Sequence, residues 1–558
     1  MSTFFDALRN HYERHPEKTA IWLQIARRAD TPITYRRLLE NAHAYAQAYA
    51  ARGIQPGEVV ILILQHGEAL LAAFWGAVLH GAIPSILPFL TEKLSPQRYK
   101  KDLTALIGVT RPAAIVTYPE FAPVVQEALT PNDSVRAVLL PAETPPPSPP
   151  DFSRLAGRLR QPEDIVLLQH SSGTTGLQKG VALSHRAVFN QLQAYSEAIR
   201  LDRARDVIVS WLPLYHDMGL IASFLLPVLE GVPLVLMSPF DWVRAPYRLL
   251  QAVSHYRGTL TWMPNFAYMF CAQKIRDRHL EGVDLSSWRA VINCSEPVRP
   301  ESHQVFYERF QPYGLRYTAL QTSYAMAENT FAVTQSDLSR PPVLDAIQRT
   351  AFLTQHRAIP AEDESDRLVM MSSGRPIANT RVRIVDDQGR DVPPRTVGEI
   401  AIRSNCMLTG YYNRPDLTEK AFLDGWYLTG DYGYMVDGEL FVCGRKKEII
   451  IVGGKNIYPQ DIESLVYEVP GTHPGRAVAF GIDDPHTGTE EVVVVAESDN
   501  PDPTFRQNLA LAIQQHVSKN APITLRRVLI VDRQWIIKTS SGKPARTANK
   551  AKYLAHQG

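Results

Sequence analysis

Cysteine is scarce in this chain: 558 residues contain four, Cys271, Cys294, Cys406 and Cys443, with no CxxC pair and no ordered spacing. So few thiols exclude a disulfide framework and a zinc site, and a reducing cytoplasm is the expected home. Neither sign of charge is in excess. With 59 Lys plus Arg against 57 Asp plus Glu, no bulk attraction to nucleic acid or to an anionic membrane is expected, and any anionic ligand must be held locally. Long apolar runs are missing as well. The most apolar stretch, Gly219 to Met237, is broken by Pro227, Glu230 and Pro233, which suits a buried helix and strand and not a bilayer span, so no transmembrane segment is expected. The opening MSTFFDALRN lacks the basic start and apolar stretch of a signal peptide. What remains is the composition of a globular protein, 45% hydrophobic and 21% charged, at a length that needs two or three packed domains.

From about Val59, short apolar runs alternate with helical stretches: VVILIL, EALLAAFWGAVL, AIPSIL, then AAIVTY, AVLL and IVLLQ. That alternation predicts parallel strands with crossover helices. Further strands are expected at VIVSWLP, VPLVLM, TLTWMP, AVINC and RYTALQ, giving a large α/β body that reaches roughly residue 375. PAETPPPSPP, Pro141 to Pro150, has six prolines in ten positions and is expected to be a surface loop without helix or inner strand. After Gly374 the runs RVRIVDD, GEIAIRS and ELFVCGR predict a smaller β-rich subdomain. From about Glu448 a second α/β unit is expected, with a helix around Phe505 to Val517.

The segment HSSGTTGLQKGV, His170 to Val181, follows the strand-like IVLLQ. A loop of Gly, Ser and Thr after a strand can wrap phosphates with backbone N–H groups and hydroxyls. It is not the Walker loop, because Gln178 precedes Lys179 and Gly180 follows it. Taken alone, the run reads equally well as a flexible turn.

Five further motifs follow in order: LPLYHDMG at 212–219, SYAMAE at 323–328, YLTGDYG at 427–433, GRKKEIIIVGGKNIYPQDIE at 444–463 and KTSSGK at 538–543. With SSGTTGLQKG at 171–180, the set resembles the acyl-adenylate-forming superfamily of acyl-CoA synthetases, peptide-synthetase adenylation domains, luciferases and fatty-acyl-AMP ligases. The resemblance implies an AMP-binding domain over residues 1–446, and a mobile α+β C-terminal domain over 447–558 that carries the catalytic lysine. It further implies that ATP and Mg²⁺ are the cofactors and that a carboxylic acid is activated as its acyl-AMP.

By the same resemblance, Ser171, Ser172, Gly173, Thr174, Thr175, Gly176 and Lys179 hold the phosphates, with Thr174 and Glu328 on the metal. A carboxylate oxygen is the hard ligand Mg²⁺ prefers. Tyr324 stacks on adenine beside Ser323, Ala325 and Met326, and Ser295, Glu296 and Pro297 form the other wall. Asp431 accepts from the ribose hydroxyls, as an acceptor-only carboxylate can, and Arg445 lies on the ribose and α-phosphate side. His216 lies near the acyl carboxylate, Lys543 relieves the charge as that carboxylate attacks the α-phosphate, and Lys447 is the hinge. By default each is also an ordinary residue: Asp431 a turn former, His216 a satisfied loop histidine, and Arg445 to Lys447 a basic surface run.

Two features point within the superfamily toward fatty-acyl-AMP ligases. DLSSWRAVINCSEPVRPES (284–302) and MPNFAYMFC (263–271) resemble theirs, and 46 positions separate Glu328 from Gly374, more than CoA-forming relatives use. The extra segment, Pro341 to Arg367, resembles the insertion that opposes domain rotation and CoA use, which implies an acyl carrier protein as acceptor. An inert loop is the alternative, since added loop length costs little. A fatty substrate is expected; FAYMF (266–270) and GLIASFLL (219–226) line its tunnel or are plain core. A fatty acyl-CoA synthetase and a catalytically dead adenylate-binding scaffold remain the competing readings.

Overall fold

The computed structural model describes residues 3–89, 96–171, 179–452, 455–484, 489–521, 523–539 and 542–556. Alternating apolar runs and helices fold as anticipated. Val59–Ile63 pairs in parallel with Ile83–Ile86 and Ala114–Thr117, and Ala137–Leu139 extends this four-stranded sheet. Glu68–His80 is the crossover helix between the first two strands, apolar on nearly every side because it is buried nearly all round. A nine-stranded sheet forms the rest of the large body. Its order runs from Arg375–Pro376 through Ala332–Gln335, Leu320–Ala325, Ala290–Asn293, Leu260–Met263, Ile208–Ser210, Leu234–Met237 and Thr19–Gln24 to Thr31–Thr34. The five strands from Leu320–Ala325 to Leu234–Met237 are mutually parallel.

Pro141–Pro150 stays within the large body. His43 on the Tyr35–Ala51 helix bonds the Ser148 carbonyl at 3.0 Å. Contrary to expectation, the segment opens with one 3₁₀ turn, Pro141–Glu143. Proline fits such a turn because its fixed φ and missing N–H cost nothing at a first helical position.

The β-rich part is antiparallel: Thr380–Val385, Gly398–Ser404 and Trp426–Val436 in succession, with Phe422–Leu423 and Glu439–Arg445 on the last. Past the 3₁₀ turn Lys446–Glu448, a separate apolar cluster gathers Ile450, Ile457, Ile462, Val492, Leu509, Ile513 and Leu525. There Ala477–Asp484, Thr489–Glu497 and Leu525–Val531 form a three-stranded sheet backed by the Pro503–Asn520 helix.

The Pro341–Arg367 segment is ordered. Leu344–Gln348 pairs antiparallel with Arg367–Met371, and the short helix Arg349–Gln355 lies between them. Asp345 anchors the first strand to the β-rich part, where Arg395 grips both of its oxygens and the Tyr434 hydroxyl donates to it at 2.9 Å. The helix side faces the C-terminal unit. Phe352 stacks on Tyr458 at 5.6 Å, His356 meets Asn456 at 3.3 Å, and Arg349 donates to the Asn520 carbonyl.

Candidate active site

Residues from the large body, the β-rich part and the C-terminal unit converge on one cavity of about 1270 Å³. Ser295, Glu296, Pro297, Ser323, Tyr324, Ala325, Asp431, Arg445 and Lys543 all line it. Met326 does not: it is 7% exposed and packs into the core, because the alternation of the preceding strand turns it away.

Tyr324 sits near the end of the Leu320–Ala325 strand, and its hydroxyl donates to Asp431 Oδ2 at 2.6 Å. Burial, then the Asp431 charge, push that phenol well above its ordinary range. Asp431 is not in a turn. It lies inside the long Trp426–Val436 strand and pairs across the ladder with Arg445, whose Nε meets its Oδ1 at 2.8 Å. Gly430, at φ 72°, gives the backbone the local bend that looked turn-like in sequence. The Asp431 charge is the main influence raising the Arg445 guanidinium. Both carboxylate oxygens thus have one donor, and each keeps a lone pair for another.

The wall opposite Tyr324 has an unusual backbone. Ser295 holds φ at 74°, a left-handed conformation costly for a residue with a Cβ. Its carbonyl accepts the ammonium of Lys543. The Glu296 carboxylate takes a different task from lining: Oε2 accepts the Phe266 N–H at 3.1 Å and so anchors the Asn265–Lys274 helix.

A second group sits behind. Glu328, in the turn Ala327–Asn329, accepts the Tyr411 hydroxyl on Oε1 at 2.9 Å, and Tyr411 is 2.9 Å from the Tyr427 hydroxyl. The ammonium of Lys179 stands 4.7 Å over the Tyr411 ring; burial lowers it from its usual value and Glu328 opposes that shift. Ser171 and Lys179 are partners across an antiparallel ladder, so the two ends of the phosphate-loop motif lie side by side. Ser172, Gly173, Thr174, Thr175 and Gly176 lie outside the described residues.

His216 and Asp217 precede a π-helical segment, Met218–Leu225. Burial drives His216 down to about 4, and the nearby Lys543 charge adds to this; its Nε2 is buried without a partner. Asp217 is raised, mainly by burial, and senses both Lys543 and Glu328. Of the two apolar runs, Phe266 and Met269 reach the cavity, whereas Gly219 to Leu226 is fully buried core. Lys447 is exposed, while its neighbours are tied to the β-rich part: Arg445 by Asp431, and Lys446 by Asp387 at 2.8 Å and Glu399 at 3.0 Å.

Sequence reasoning missed Tyr411, Tyr427 and Asp217 as neighbours of these groups. Asp217 was visible inside LPLYHDMG, but nothing in the sequence pairs Tyr411 with Glu328.

The AMP-binding enzyme family profile matches residues 8–412. The medium-chain-fatty-acid acyl-carrier-protein ligase JamA of Moorena producens is 30% identical over 99% of this chain and 95% of its own. A 4-hydroxyphenylalkanoate adenylyltransferase of Mycobacterium marinum is 30% identical over 97% of this chain and 87% of its own. Among solved structures, one from a study of fatty acyl-adenylate ligases of E. coli and L. pneumophila superposes with a TM-score of 0.90 at 29% identity, covering 100% of this chain and 98% of that one. The chain belongs to the AMP-binding enzymes of the acyl-adenylate-forming superfamily, and within it is most like the fatty-acyl-AMP ligases.

Proposed function

We propose that this enzyme uses ATP and Mg²⁺ to convert a fatty acid into its acyl-AMP and then passes the acyl group to the phosphopantetheine thiol of an acyl carrier protein. The observation that carries this reading is the contact of Lys543, from the C-terminal unit, with the Ser295 carbonyl in a wall facing Tyr324 and Asp431. A cation held there faces the point where a carboxylate and an α-phosphate, both anionic, must approach. The donor set suits Mg²⁺: Tyr411 takes one oxygen of Glu328, and no second hydrogen bond to that side chain is present among the described residues. A metal bound there supplies charge neutralisation on the phosphates, most of its other ligands being phosphate and water oxygens. His216, held neutral by burial, offers the acid substrate a hydrogen-bonding ring and no competing charge.

Residues 1–446 are read as the nucleotide-binding domain and 447–558 as the unit that rotates, with Lys447 as its hinge. The exposed position of Lys447, directly after two anchored residues, supports this. The fatty substrate is supported by Phe266 and Met269 on the cavity and by the name of the JamA relative. Each buried methylene contributes about 0.8 kcal/mol, so a medium chain anchors itself by ~6 to 9 kcal/mol before ordering costs. For the acceptor, the contacts of Phe352, His356 and Arg349 with the C-terminal unit support an insertion that opposes the rotation needed for CoA. All four cysteines are free thiols, which fits the cytoplasm.

Fatty-acid-dependent pyrophosphate exchange tests the reading. Activity with the wild type, and a loss of ~10²-fold or more in Lys543→Ala, is the expected result. Full exchange in that variant overturns the role of Lys543, and absent exchange with every acid in the wild type revives the scaffold alternative. Mass spectrometry with CoA or with a phosphopantetheinylated carrier protein then separates the two acceptors.

A further inference from the structure

The C-terminal unit touches the Ser295–Arg299 wall at two points, and the proposed chemistry explains only one. Besides Lys543 on the Ser295 carbonyl, Arg299 Nη2 pairs with Asp461 Oδ1. This pair is shielded, with side chains 22% and 31% exposed. Asp461 stands in the first turn of the Pro459–Tyr467 helix. Two residues on, Glu463 accepts from Arg546 at 2.7 Å, and Arg546 also meets Glu448 at 3.0 Å. Arg546 lies three positions after Lys543.

These contacts close a circuit. The wall residue Arg299 holds Asp461, the helix carries Glu463, Glu463 holds Arg546, and the short segment from Arg546 back to Lys543 returns to the wall at Ser295. On the wall side, the backbone N–H of Arg299 donates to Asn265 Oδ1 at 3.3 Å, and Asn265 Oδ1 also accepts from the buried Asn293 at 2.9 Å. Arg299 is therefore fixed at both its backbone and its guanidinium end.

We infer that Arg299 and Asp461 are positioning residues for adenylation: their ion pair docks the C-terminal unit so that Lys543 reaches the nucleotide side of the cavity. This rests on the reading of Lys543 as the adenylating cation. Neither side chain acts on the substrate. A lysine on a glycine-containing loop depends on its mounting for its position, and the fraction of molecules with that mounting closed scales the observed rate. A flexible lysine alone pays the full ordering cost each time, whereas a shielded fork on a carboxylate fixes the whole unit.

Asp461→Asn keeps the side-chain shape and removes the charge. Its expected signature is a fall of ~10-fold in kcat for acyl-AMP formation, with KM for ATP and for the fatty acid unchanged. Transfer from chemically synthesised acyl-AMP to the carrier-protein thiol, which does not need this docking, keeps its rate or gains. Reversing the charges, Arg299→Asp with Asp461→Arg, is expected to recover most of the lost kcat. A loss confined to KM, an equal loss in both half-reactions, or an unchanged kcat in Asp461→Asn overturns the inference. If Lys543→Ala keeps full activity, the reading beneath it has failed; if Lys543→Ala is inactive while Asp461→Asn is normal, only the docking pair has failed. Poor folding of the double variant is checked by its melting temperature, and Asp461→Asn alone still decides.

Discussion

At the scale of single residues, the site is built from groups that are costly to hold and are held anyway. Ser295 sits at positive φ, His216 Nε2 is buried without a partner, and Asp217 is a buried carboxyl. Such features gather where function fixes what stability alone would relax. Gly219, which closes LPLYHDMG, shows the steric side of this. A Cβ there would press on the carbonyl of Pro213, a backbone atom that cannot swing aside. Gly219→Ala is expected to destabilise by about 1–3 kcal/mol and to lower fatty-acid adenylation by displacing His216; an unchanged melting temperature and rate refute this. The sequence displayed Tyr324, Asp431, Arg445 and Lys543 because each stands inside a motif. It concealed Arg299 and Asp461, although both lie within quoted segments, because an ion pair across 162 positions leaves no local trace.

At the scale of elements, strands and helices were legible and their edges less so. VVILIL, VPLVLM and AVINC are short apolar runs that only a buried parallel strand accommodates, and each became one. YLTGDYG was not readable as strand, since two glycines and an aspartate argue for a turn; pairing on both sides with Gly398–Ser404 and Glu439–Arg445 overrode that preference. The Pro341–Arg367 segment was legible as extra length but not as a strand, helix and strand bonded on two sides. If its helix hinders rotation, loosening it should release the C-terminal unit. Phe352→Ala is expected to permit measurable acyl-CoA synthesis, and deletion of 341–367 more of it, by mass spectrometry; a folded deletion variant inert toward CoA removes the insertion from the account.

At the scale of the whole molecule, two apolar clusters on either side of Lys446–Glu448 explain how one chain can be both rigid and mobile. Among the described residues, no helix is long and apolar enough to cross a membrane. Acid stability is also a global property here. His170 and His185 are buried and pushed down to about 4, and His303 to about 3, in each case mainly by desolvation. Unfolded, they would bind protons near pH 6.5. The unfolded chain thus takes up more protons than the folded one between about pH 6.5 and pH 4, so stability falls as pH drops through that window. The melting temperature is expected to decline from pH 7 to pH 4.5, and a smaller decline in His303→Asn would trace it to that ring; a flat profile contradicts the assignment.

The cysteine beside the strained Ser295 carries a last implication. Cys294 is wholly buried, and desolvation raises its thiol to about 12. An acyl-AMP is a mixed anhydride, and its natural quencher is a thiolate. Here the protein's own sulfur, one residue from the wall of the cavity, is kept protonated and sealed in the sheet, so the activated product is spared self-acylation and remains available to an incoming thiol.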